Sequence, residues 1–165
     1  MPQPGDYGLT KIPGAPGIAI RIGQWLDGGG WNNFQHAFIV IDGDQIVEAE
    51  PGGARISPIT EYPADTMEFS HWKLTDTQRA DIVAHAKSMV GTPYSAFDYF
   101  AIAAHRLHLP MPGLKRYMGT STHAICSQLV DLCYQAAGLK IFDDGRWSGY
   151  VDPADLERTL SGPVT

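Results

Sequence analysis

The sequence predicts an α+β domain in which a small antiparallel sheet packs against helices and a cysteine stands at one helix N-terminus. Three stretches carry this expectation. His36-Ala37-Phe38-Ile39-Val40-Ile41 and Gln45-Ile46-Val47-Glu48-Ala49-Glu50 flank Asp42-Gly43-Asp44, the composition of a β-hairpin around a turn-forming Asp-Gly. Thr75-Asp76-Thr77-Gln78 has the spacing of a capping box, and Ile82, Val83, Ala86, Met89 and Val90 then recur at helical intervals up to Gly91. Leu129, Val130, Cys133, Tyr134 and Ala137 recur in the same way and stop at Gly138, which puts Cys126 in the first turn of an apolar helix.

Length and charge narrow the function classes. The 165 residues suit one domain, 1–165, able to bury a core without disulfides or metal. A net charge of -6, with twelve scattered Lys and Arg, argues against a nucleic-acid surface, which needs clustered basic residues. Cys126 and Cys133 lie roughly 10 Å apart along their predicted helix, beyond the Cα separation of about 7 Å that a disulfide tolerates. Both are expected as thiols. Met1 to Asp6 lacks the basic and apolar regions of a leader, and no apolar run reaches the roughly 20 residues of a membrane helix. The chain is therefore expected to be soluble, cytoplasmic as written or delivered by a phage.

In chain order, residues 2–17 hold four prolines and four glycines and read as loop, interrupted by the short apolar stretch Tyr7-Gly8-Leu9. Ile18, Ile22, Trp25 and Leu26 fit a short helix. Asp27-Gly28-Gly29-Gly30-Trp31-Asn32-Asn33 reads as a flexible loop, but no Lys-Ser/Thr follows to complete a phosphate-binding P-loop. Trp31 there lines a cleft or plugs the edge of the core. After the hairpin and Pro51-Gly52-Gly53, Arg55–Ile59 and Thr66–Trp72 read as further strands, for a sheet of four or five. The capped helix follows, then a turn at Thr92-Pro93-Tyr94 and a second apolar helix over Ala96–Leu107. Residues 108–123 contain Pro110, Pro112, Gly113 and Gly119 and form a long loop into Cys126, of the kind that serves as a lid.

Cys126 carries the chemical interest. Unpaired N–H groups and the positive end of the helix dipole favour a thiolate at a helix N-terminus, and the thiolate is the nucleophile. Taken alone, such a cysteine is more often a small core residue, so its partners decide. A nucleophilic cysteine needs a base, and the base an orienting group. His36 opens the first hairpin strand. With a three-residue turn, residues whose numbers sum to 86 pair, so His36 faces Glu50 and has Glu48 as a diagonal neighbour on the same face. With a two-residue turn both carboxylates point away. Pairing alone leaves Glu48 and Glu50 open. His71, His85, His105, His108 and His123 show no metal-ligand spacing, and the i,i+3 pair His105 and His108 has no further ligands nearby.

Several short motifs fall in a telling order: Gly5-Asp6, His36 before an apolar strand, a polar residue twelve positions later in Val47-Glu48-Ala49, and Gly91-Thr92-Pro93-Tyr94-Ser95. Ile125-Cys126-Ser127-Gln128-Leu129-Val130 and a closing Val151-Asp152-Pro153-Ala154-Asp155-Leu156 complete it. In this the chain resembles the NlpC-type branch of the papain-like cysteine peptidases, in the circularly permuted arrangement shared with lecithin retinol acyltransferase, where His precedes Cys. The bulky Phe38, where relatives often carry a small residue, departs from the pattern.

The resemblance implies a permuted papain-like fold and a catalytic triad of Cys126, His36 and Glu48, with Glu48 preferred to Glu50. It implies acyl transfer through a thioester on Cys126, with the Cys126 backbone N–H as an oxyanion donor and a second donor unassigned. Trp31, Asn32 and Tyr94 are the candidate binding residues, and neither metal nor organic cofactor is called for. The expected substrate is a cell-wall peptide or similar small amide. A lipid acyltransferase or thioesterase, with a membrane-facing patch from Ala96 to Met111, is the alternative enzyme, and a non-catalytic binding module the third reading.

Overall fold

A computed structural model of the protein describes residues 1–12, 33–50, 52–92, 126–146, 148 and 151–163. The expected helices at 18–26 and 96–107, the 108–123 loop, and the candidate binding residues Trp31, Asn32 and Tyr94 lie outside the described residues. Among those described, five strands form one antiparallel sheet: β1 (Tyr7–Thr10), β2 (His36–Val40), β3 (Gln45–Glu50), β4 (Gly53–Pro58) and β5 (Met67–Phe69), in the order β4-β3-β2-β1-β5. Helices α1 (Asp76–Ser88), α2 (Cys126–Ala136) and α3 (Pro153–Glu157) follow. The architecture is α+β, as expected.

The hairpin forms in the three-residue register, with Phe38 opposite Glu48, Ile39 opposite Val47 and Val40 opposite Ile46. Strand alternation then sorts the side chains onto two faces. Ala37, Ile39, Val47 and Ala49 join Tyr7 and Leu9 of β1 in the main core, against Ile82 and Ala86 of α1 and Leu129, Val130, Cys133 and Tyr134 of α2. Phe38, Val40 and Ile46 form a smaller cluster on the other face, covered by Ile59, Tyr62, Met67 and Phe69. Each fully buried aliphatic or aromatic side chain of this kind contributes about 1.5–3 kcal/mol, so the sheet is stabilised from both sides.

One expectation is corrected. Tyr7-Gly8-Leu9 is no interruption in a loop but a central strand, paired with β2 on one edge and β5 on the other. Its proline- and glycine-rich flanks hide this, because local composition does not report pairing with residues about thirty and sixty positions away. Gly8 has a packing role there: a Cβ at this position would lie 2.3 Å from Cε2 of Phe38. The expected strand to Trp72 also ends early, at Phe69. Ser70 and Trp72 leave the sheet for buried hydrogen bonds, the Ser70 hydroxyl accepting from the Tyr7 N–H at 3.0 Å and the Trp72 indole donating to the Thr159 carbonyl at 2.7 Å.

Both expected helix signals are realised. Thr75 and Gln78 form the reciprocal capping box of α1. Gly138, at φ 73, ends α2: its N–H donates to the Gln135 carbonyl and that of Leu139 to the Tyr134 carbonyl, the bonding pattern of a left-handed C-terminal cap. Among the described residues no helix is long and apolar enough to cross a membrane.

Candidate active site

Three buried polar residues converge where the start of β2 meets the N-terminus of α2. Cys126 is the first residue of α2, His36 the first of β2, and Glu48 lies in β3; they are 3 %, 5 % and 0 % exposed. The His36 Nε2 lies 2.8 Å from Glu48 Oε2. On its other side the imidazole interacts with the Cys126 side chain, closely enough to shift its titration.

The first turn of α2 is held by its second residue. The buried Ser127 hydroxyl donates to the Val151 carbonyl at 2.5 Å, and the next residue, Asp152, caps α3 through a reciprocal box with Asp155. The closing segment of the chain thereby anchors the helix turn that carries Cys126. Ser127 stood beside the cysteine in the sequence motif, but its partner, 24 positions away, did not.

Glu48 is unusually well provided with donors. Its Oε1 accepts from the Ser57 hydroxyl at 2.5 Å and lies 3.0 Å from Nη2 of Arg55, while its Oε2 also accepts from the Tyr62 hydroxyl at 2.5 Å. Ser57, Arg55 and Tyr62 were not anticipated from sequence. The register explains two of them: Arg55 stands directly opposite Glu48 in the β3–β4 ladder, and Ser57 is its same-face neighbour two residues on. Tyr62 is positioned by packing, its ring stacked on Phe38 at 5.9 Å with an interplanar angle of 7° and tilted towards His36 at 5.7 Å. The bulky Phe38 is thus the platform for a tyrosine that binds the carboxylate.

Electrostatics follow from these contacts. Burial opposes a charged imidazole, but the hydrogen bonds and charges of Cys126 and Glu48 outweigh it and raise His36 from 6.5 to about 10. Burial likewise opposes the Glu48 carboxylate, and the hydrogen bonds from His36, Ser57 and Tyr62 overcome it, lowering the group from 4.5 to about 2. The direction of the shift favours a protonated imidazole between the Glu48 carboxylate and the Cys126 side chain, and a cation beside a cysteine at a helix N-terminus is a setting that favours a thiolate. Cys133, two turns along α2, is fully buried, and burial alone pushes its thiol well above the ordinary range. Cys126 and Cys133 are not joined in a disulfide.

His36, Glu48 and Glu50 lie close enough to share an ion, with one ligand atom from each within 4.8 Å of the others. The cationic place between the carboxylates is already filled: Arg55 Nη2 lies 3.0 Å from Glu48 Oε1, 3.0 Å from Glu50 Oε2 and 2.8 Å from Glu61 Oε2. A metal there would have to displace the guanidinium, so the residues fit an ion-pair network better than a metal site. Beside His36, Gln35 has its Oε1 accepting from the Ile12 N–H at 3.0 Å, while its buried Nε2 is without a hydrogen-bond partner among the described residues.

No family model and no curated protein matches the chain. Among solved structures it is similar to the crystal structure of metalloprotein yiiX from Escherichia coli O157:H7, DUF1105, with a TM-score of 0.60 and 19% sequence identity, covering 85% of this chain and 69% of that one. At this identity the likeness concerns the fold.

Proposed function

We propose that the protein is a cysteine-dependent hydrolase of the permuted papain-like, NlpC-type kind, acting through a thioester acyl-enzyme on a peptide or similar small amide. The observation that carries this reading is the placement of His36 between the Glu48 carboxylate and the side chain of Cys126 at a helix N-terminus. A buried cysteine kept for packing alone would not account for an imidazolium held on both sides. The structurally similar yiiX is a metalloprotein; here Arg55 occupies the cationic place, and no step passes through a metal.

In the proposed reaction the Cys126 thiolate attacks the carbonyl carbon, forming the S–C bond as the carbonyl π pair moves onto oxygen. The oxyanion develops next to the N–H groups of the first turn of α2. As the tetrahedral species collapses, the C–N bond breaks and the His36 imidazolium gives its proton to the leaving amine. Water then attacks the thioester with neutral His36 accepting its proton, and cleavage of the S–C bond restores the thiolate–imidazolium pair. Glu48 holds the ring and offsets its charge throughout.

The test is to trap the acyl-enzyme. Incubation with peptide amides and esters, followed by acid quench and peptide mapping, is expected to show a hydroxylamine-sensitive mass increase on Cys126 that Cys126→Ala abolishes. Acylation from phospholipid vesicles and not from peptides would move the protein to the acyltransferase reading. Acylation of neither, with an unreactive Cys126, would overturn the proposal.

A further inference from the structure

Among the described residues Arg55 makes three ion pairs, each through the same nitrogen. Its Nη2 spans the fully buried Glu48 and the partly exposed Glu50 and Glu61, while its own side chain is 45 % exposed. The guanidinium is thus the link between the buried charges of the site and the carboxylates of the surface. We propose that Arg55 is a positioning residue which, acting through Glu48, sets the charge balance of the His36–Cys126 pair and so the pH range over which Cys126 is a nucleophile. This rests on the acyl-transfer reading above.

Consider the groups around Glu48 among the described residues: His36 and Cys126 from β2 and α2, Glu50 from β3, Arg55 and Ser57 from β4, and Glu61 and Tyr62 from the turn after it. Of these, Ser57 is uncharged, and Tyr62 stays a phenol because burial and the carboxylate oppose its ionisation. The balance is therefore set by three carboxylates and the sulfur against His36 and Arg55. Arg55 is the cation that substrate chemistry does not use. Removing its charge leaves the surroundings more negative, which disfavours the thiolate, so its formation moves to higher pH. Removing the Glu61 charge has the opposite sign, because one competitor for Arg55 is lost and the guanidinium is freed towards Glu48.

The geometry also predicts which substitution is silent. Because a single nitrogen meets three acceptors, the three N–H donors of an ammonium can replace it, in contrast to sites where a guanidinium grips one carboxylate with both arms.

The experiment follows the rate of Cys126 alkylation by iodoacetamide against pH, with site mapping and a folding check by circular dichroism. For the unmodified protein the midpoint is expected below that of an ordinary thiol. Arg55→Gln should raise it by about half a pH unit or more, Glu61→Gln should lower it, and Arg55→Lys should stay near the parent value. High salt should shrink the differences. If Arg55→Gln does not fold, the downward shift in Glu61→Gln carries the test. A low parental midpoint that neither variant moves, or that both move in one direction, overturns the role of Arg55 and leaves the acyl-transfer reading standing. An ordinary thiol midpoint in the parent protein defeats both.

Discussion

His36 and Glu48 meet diagonally across the β2–β3 hairpin, Nε2 to Oε2 at 2.8 Å, although the ladder places Phe38 opposite Glu48. A diagonal contact of this kind needs the carboxylate to lean along the strand towards the ring. Ser57 and Tyr62 hold it there, each donating at 2.5 Å. Loss of the charge at position 48 should therefore be felt as chemistry. Glu48→Gln is expected to keep the fold and to lower turnover by about two orders of magnitude or more. Glu50→Gln removes a largely surface ion pair and is expected to change it less than about threefold. Steady-state kinetics on one peptide substrate compares the two; equal losses would move the orienting role to Glu50.

Tyr62→Phe removes one charge-assisted hydrogen bond to Glu48 and leaves the stacked ring on Phe38 in place. The expected loss is about 1.5–3 kcal/mol in folding stability, read by urea denaturation. Turnover should fall less than in Glu48→Gln, since His36 and Ser57 still bind the carboxylate.

The two cysteines should differ sharply towards alkylating agents. Cys126 has His36 and a helix terminus beside it, whereas Cys133 has only burial, which disfavours its thiolate. Stoichiometric iodoacetamide at neutral pH is expected to label Cys126 and spare Cys133. Equal labelling of both would remove the basis for calling Cys126 the nucleophile.

Stability should respond to pH with opposite signs at the two ends. Glu48 is lowered from 4.5 to about 2, so its contribution is present above about pH 4.5 and is lost as pH falls towards 2. His36 is raised from 6.5 to about 10, so its contribution is present below about pH 6.5 and is lost as pH rises towards 10. Thermal melts should therefore show these two contributions together between about pH 4.5 and 6.5. His36→Gln should flatten the alkaline limb and Glu48→Gln the acid limb; melts of the variants that parallel the parent's would contradict the assigned directions.

Gly8→Ala tests the sheet's link to the site. The new methyl would meet the Phe38 ring at 2.3 and 2.4 Å, and that ring is fully buried between Tyr62 and Phe69. Overpacking of this kind costs about 1–3 kcal/mol, and the ring can yield only by disturbing Tyr62. Denaturation is expected to show the loss of stability together with lowered turnover. An unchanged protein would mean that Phe38 has room the packing does not show.

Much of this was legible locally. The hairpin, the capping box at Thr75 and the Gly138 stop each depend on a few neighbouring residues whose geometry leaves little choice, whereas the three-residue register over the two-residue one was settled by the structure. The candidate site was legible in part, since Cys126 and His36 stood out only when taken together with the order of the motifs around them. Glu48 could not be separated from Glu50 by pairing alone, because both share a face of β3. Ser57 and Tyr62 separate the two: Ser57 comes from the neighbouring strand and Tyr62 from the turn beyond, and both donate to the Glu48 carboxylate that meets His36.

By itself the sequence determined the α+β class, the β2–β3 hairpin, and the place of Cys126 in the first turn of an apolar helix. These follow from periodicity, capping and strand alternation, which act over a few residues. Only the tertiary structure decided that Tyr7–Thr10 is a central strand, that Ser127 ties α2 to the chain's closing segment, and that Arg55 fills the cationic place beside Glu48. Each of these is a contact between segments that share no local pattern, and it exists because burying the apolar faces of the sheet brings them together and their polar groups must then find partners.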